Sequence, residues 1–102
     1  MLEIFITAVN KQDGKVCAHY RTHAEPGNAA AVAVSAWQTA KQFGVKRPGV
    51  LVEIIFNGRM FSTTIRPSLG LNKTGSIEGR ASKFVRKSLS KLGYVEESLQ
   101  NG

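Results

Sequence analysis

The chain has 102 residues, 42% apolar and 21% charged, with fourteen Lys/Arg against seven Asp/Glu for a net charge of +7. That size and composition suit a single hydrophobic core that needs neither disulfides nor a structural metal. A lone cysteine, Cys17, excludes an internal disulfide, no run approaches the roughly 20 apolar residues of a membrane span, and the start Met1-Leu2-Glu3-Ile4 lacks the basic segment of a secretory leader, so a cytoplasmic location is expected.

Leu2, Ile4, Ile6 and Ala8 alternate with Glu3, Phe5, Thr7 and Val9, the period of a strand. Turn-forming residues Asn10 to Lys15 follow, and a returning strand is expected from Val16 to about Thr22, ended by Glu25-Pro26-Gly27. Asn28 is placed to cap a helix whose stripe is Ala30, Ala33, Val34, Trp37 and Ala40, with Ser35, Gln38, Thr39 and Gln42 opposite and Gly44 as its stop. The small alanines let this helix lie close to a sheet, with Trp37 at the centre of the contact.

The strongest local pattern is Val50 to Phe56, then Asn57-Gly58, then Arg59 to Ile65. Asn-Gly accepts positive φ at both positions, as a two-residue type I′ hairpin turn requires. The register then sets Phe56 opposite Arg59 and Ile54 opposite Phe61. One face carries Val50, Val52, Ile54, Phe56, Phe61 and Ile65; the other carries Leu51, Glu53, Ile55, Met60, Ser62 and Thr64. Pro67 closes the second strand, and Ser68 to Gly75 reads as a flexible loop. A last helix is expected to start between Ser76 and Arg80 and to end at Gly93, with Ala81, Phe84, Val85, Ser88, Leu89 and Leu92 buried.

The expected architecture is therefore α+β, in the order β-β-α-β-β-α: a four-stranded antiparallel sheet with two helices on one face. Residues 1–95 form the domain and residues 96–102 a flexible tail. Nothing local orders the two hairpins within the sheet. With both helices on one side, Phe5, Val9, Leu51, Ile55 and Met60 gather on the uncovered side, a marker of a protein partner or a homodimer.

Catalytic groupings are poorly supported. Cys17 and His19 share one strand face, but no Asp or Asn is placed to orient the imidazole, and the carboxylates are scattered. Cys17, His19 and His23 fall short of the four ligands of a structural zinc site. Gly70 and Gly75 keep the interval of a phosphate loop, but Lys73 lies inside it and no Lys follows the second glycine. No enzyme activity, cofactor, metal or small-molecule substrate is expected. That segment retains one simple capacity, to offer backbone N–H groups and Lys73 to a phosphate at a helix start.

Charge is the feature that points outward. Residues 57–102 hold eight bases and three acids, and between Arg59 and Lys91 the single carboxylate is Glu78. Arg80, Lys83, Lys87 and Lys91 fall within about 80° of one another on a helix turning 100° per residue. With Arg59, Arg66 and Lys73 they form a basic set suited to the phosphates of a nucleic acid, DNA or RNA, without base-specific contacts. The alternative is a protein-interaction module, a homodimer or an inhibitor of a partner protein, joined through Phe5, Leu51, Ile55 and Met60. No membrane partner is expected.

Val52 to Ile65 with its Asn-Gly turn, followed by Arg80-Ala81-Ser82-Lys83-Phe84-Val85-Arg86-Lys87, resembles the last two strands and basic helix of double-stranded-RNA-binding domains. That family sets three strands after its first helix, whereas one strand precedes the Asn-Gly turn here, so membership is not inferred.

Overall fold

The computed structural model describes residues 1–12, 15–67 and 73–94, with the backbone alone described for residues 11, 12, 15–20 and 73. The strands are β1 (Leu2–Gln12), β2 (Lys15–Ala24), β3 (Gly49–Phe56) and β4 (Arg59–Ile65); the helices are α1 (Ala29–Gln42) and α2 (Lys73–Leu92). They form one antiparallel sheet in the order β2-β1-β3-β4, with the expected α+β element order. Among the described residues two strands, not three, lie between the helices, which differs from the double-stranded-RNA-binding arrangement.

The alternation in each strand decides what the helices cover. Ile4, Ile6, Val50, Val52 and Ile54 are fully buried on one face, joined there by Ala24 and Ile65. Ala29, Ala33 and Trp37 of α1 and Ile77, Ala81, Val85, Leu89 and Leu92 of α2 complete the same core. Each fully buried Ile or Val stabilises by about 1.5–3 kcal/mol relative to exposure, so this face supplies most of the drive to fold.

Local chemistry fixes the second hairpin. Asn57 and Gly58 have φ of 52° and 76°, and Phe56 pairs with Arg59 and Ile54 with Phe61, as expected. A Cβ added at Gly58 or at Gly27 would meet no atom within 4 Å, but only Gly58 has positive φ. Gly58→Ala is therefore expected to cost about 1 kcal/mol, through the backbone alone, while Gly27→Ala is near neutral. Urea midpoints check this, and equal midpoints for the two variants would contradict the turn assignment.

The first hairpin joins the second through β1 and β3, in a register from Leu2–Phe56 to Val9–Gly49. This long-range pairing settles the strand order that the sequence left open. β2 runs two residues beyond the expected end because His23 and Ala24 still pair with Phe5 and Ile4. Asn28 holds the N-cap position of α1 as expected, but its side chain makes no hydrogen bond to that helix. Its side-chain oxygen accepts from the Glu25 N–H at 2.9 Å and so closes the 3₁₀ turn Pro26–Asn28. Both helices end where expected: Val45 N–H donates to the Ala40 carbonyl beyond α1, and Tyr94 N–H to the Leu89 carbonyl beyond α2.

α2 begins earlier than its composition suggests. Thr74, Gly75 and Ser76 are weak helix formers, yet they are helical, because the first turns carry Ile77 into a fully buried position. The expected loop is shortened accordingly, and its residues 68–72, like the tail at 96–102, lie outside the described residues. No helix among the described residues is long and apolar enough to cross a membrane.

Candidate nucleic-acid interface

The burial of α2 determines where its charges stand. With Ile77, Ala81, Val85, Ser88, Leu89 and Leu92 turned inward, Arg80, Lys83, Lys87 and Lys91 are left exposed along one flank. From Arg80 to Lys91 this flank rises about 16 Å, at 1.5 Å per residue. Glu78 is also exposed, but by the same rotation it stands on the opposite flank, about 175° from the middle of the ridge. Lys83, Lys87 and Lys91 form no ion pair among the described residues, where the pair observed is Arg21–Glu53 at 3.8 Å.

Two arginines join this flank to the sheet edge. Arg59, at the start of β4, donates from Nη1 to the Lys91 carbonyl at 3.3 Å, and its guanidinium lies 5.6 Å from the centre of the Phe61 ring. It places positive charge at the negative end of the α2 dipole. Arg80 donates from Nη1 to the Arg66 carbonyl at 2.8 Å, where the chain leaves β4. α2 therefore runs antiparallel to β4, with its basic flank on the β4 side. These bonds to carbonyls were not foreseeable from composition, since each joins residues distant in the chain.

Arg66 is directed elsewhere. With Arg47, Val9, Gly49 and Thr64 it lines a cleft of about 300 Å³ beside the ends of β3 and β4. The expected basic set thus divides into a ridge (Arg80, Lys83, Lys87, Lys91, with Arg59 at its end) and a cleft containing Arg66. Lys73 is the first residue of α2, and its side chain lies outside the described residues. Arg47 was missed by sequence reasoning because it belongs to the less basic half of the chain.

The other expected surface is less continuous than its residue list implies. Phe5, Leu51, Ile55 and Met60 do share the uncovered sheet face, and Met60 is 56% exposed. The cross-strand pairs are, however, Phe5–Glu53, Thr7–Leu51, Glu53–Ser62 and Leu51–Thr64, so polar residues interrupt the apolar ones; only Ile55 and Met60 stand side by side. Arg21 covers the Phe5 ring at 4.2 Å on its way to Glu53, and His23 packs edge-on against the same ring at 5.5 Å. Tyr94 packs edge-on against Phe56 at 5.3 Å.

No group of three His, Cys, Asp or Glu residues that could hold a metal occurs among the described residues, and the side chains of Cys17 and His19 lie outside them. The chain matches no protein-family model, no curated protein and no solved structure.

Proposed function

We propose that this chain is a small cytoplasmic binding domain, not an enzyme, that holds the sugar-phosphate backbone of a nucleic acid along the exposed flank of α2. The observation that carries the reading is the alignment of Lys83, Lys87 and Lys91 on one solvent-facing flank, with Arg59 and Arg80 tied at its margin and the one carboxylate of α2, Glu78, on the opposite flank. A flank of about 16 Å spans the rise of four or five phosphates along one strand, at 3.4 Å each. Contacts of this kind give affinity and salt dependence without reading sequence. Binding of duplex and single-stranded DNA and RNA across a salt series, by the wild type and by Lys83→Glu/Lys87→Glu, tests it; equal binding by both proteins would overturn it.

A second reading, self-association or docking of a partner protein through the uncovered sheet face, draws on the exposure of Met60 beside Ile55. On that reading the wild type sediments as a dimer and Met60→Asp as a monomer. A monomeric wild type, unchanged by the substitution, removes the self-association form.

A further inference from the structure

A cleft opens beside Gly49, lined also by Val9, Arg47, Thr64 and Arg66. Gly49 lies on the uncovered face of the sheet, paired with Val9 on β1. A Cβ built there would stand 3.3 Å from Thr64 Cγ2, 3.6 Å from the Ile65 carbonyl oxygen and 3.9 Å from Val9 Cγ2, so neighbouring strands already crowd the position and the glycine permits their close approach. A glycine inside a strand commonly marks close approach of another backbone or of a ligand. The cleft beside it, about 300 Å³, lies at the small end of ligand-site volumes.

Its walls select the ligand. Arg47, Arg66 and Thr64 line it with Val9 and Gly49, and no carboxylate does so among the described residues. Both arginines project from anchored backbone. Arg47 lies between buried Val45 and fully buried Pro48, while Arg66 follows buried Ile65 and has its carbonyl held by Arg80. Guanidinium groups bind phosphate oxygens in paired, directional hydrogen bonds, and anchoring limits the entropy lost in forming them. Two such groups match a phosphate monoester, which carries about −1.5 to −2 at pH 7, better than the single charge of an internucleotide diester.

We propose that the Arg47–Arg66 cleft seats the terminal phosphate of a nucleic-acid strand, so that the protein prefers strands with a phosphorylated end. The proposal rests on the nucleic-acid reading above. Arg80 connects the two sites: its helix carries the ridge, and its guanidinium fixes the backbone of Arg66.

The test uses one single-stranded oligonucleotide sequence prepared with a 5′-phosphate, with a 3′-phosphate, or with hydroxyls at both ends. The wild type is expected to bind at least one phosphorylated form about tenfold more tightly than the hydroxyl form, the effect of one added charged hydrogen-bonding group. Arg47→Gln should abolish that advantage. Lys41→Gln, which removes the same charge from α1, should leave it intact, so a general electrostatic effect is separated from the cleft. Arg47 is exposed, and its replacement leaves the core untouched. Equal binding of all three strands, still weakened by Lys83→Glu/Lys87→Glu, overturns the cleft proposal while the ridge reading stands; absence of binding to any strand overturns both. Inorganic phosphate that shifts the Arg47 and Thr64 amide resonances without any preference for phosphorylated ends also overturns it, since the cleft would then serve free phosphate.

Discussion

The Lys83→Glu/Lys87→Glu variant is expected to bind nucleic acid about a hundredfold more weakly than the wild type near 0.15 M salt, with a visibly flatter salt dependence. Each phosphate contact contributes about 0.9 to the slope of log affinity against log salt, which near 0.15 M is roughly a fivefold factor per contact. Loss of two contacts gives about thirtyfold, and the repulsion introduced by two carboxylates accounts for the remainder. The slope should fall in magnitude by about 2, independently of the sequence of the nucleic acid. Both residues are exposed, and neither belongs to the inward stripe of α2, so the fold should survive.

Placement and net charge can be separated. Lys41→Glu on α1 changes the net charge by as much as Lys87→Glu does, and Lys41 already lies 5.1 Å from the centre of the Trp37 ring. If the flank of α2 is the binding surface, Lys87→Glu weakens binding several-fold more than Lys41→Glu. Equal losses would mean that the protein attracts polyanions by its overall field alone.

What could be read from the sequence, and what could not, follows the range of the interactions. The Asn57-Gly58 hairpin was legible to the residue because its register is set by a two-residue turn and by alternation on either side. The flank of α2 was legible because helical rotation relates its members directly. The cleft was not. It needs Val9, Arg47, Gly49, Thr64 and Arg66 brought together from β1, from the segment before β3, from the start of β3 and from the end of β4. That assembly depends on the β1–β3 pairing, for which no local residue gives a signal. The start of α2 was misplaced for a related reason: burial of Ile77 outweighs the weak helix preference of Thr74-Gly75-Ser76, and burial is a property of the whole fold. Likewise, the apolar residues of the uncovered face formed a patch in the sequence pattern until the register set Glu53, Thr7 and Ser62 among them.

Replacement of the single tryptophan by alanine is expected to have the largest effect on stability. Trp37 is 7% exposed within the main core, where the alanines of α1 bring the helix close to the sheet and leave its large ring as the main filling group. Trp37→Ala should cost about 3–5 kcal/mol, since the close-packed surroundings cannot collapse around a void of that size. Against a total stability of about 5–15 kcal/mol this is a large share, and a fall in Tm of about 20 °C is expected for a domain of this size. Trp37→Phe provides the finer test. The indole Nε1 is buried with no hydrogen-bond partner among the described residues, a state that costs about 1–3 kcal/mol, and phenylalanine removes this donor while keeping most of the ring. The gain offsets much of the lost volume, so Trp37→Phe should lie within about 1 kcal/mol of wild type. Thermal melts followed by circular dichroism read both variants. If Trp37→Phe proves as damaging as Trp37→Ala, the indole N–H has a stabilising partner and the orphan-donor argument fails. If Trp37→Ala is mild, the α1–sheet interface does not depend on this ring.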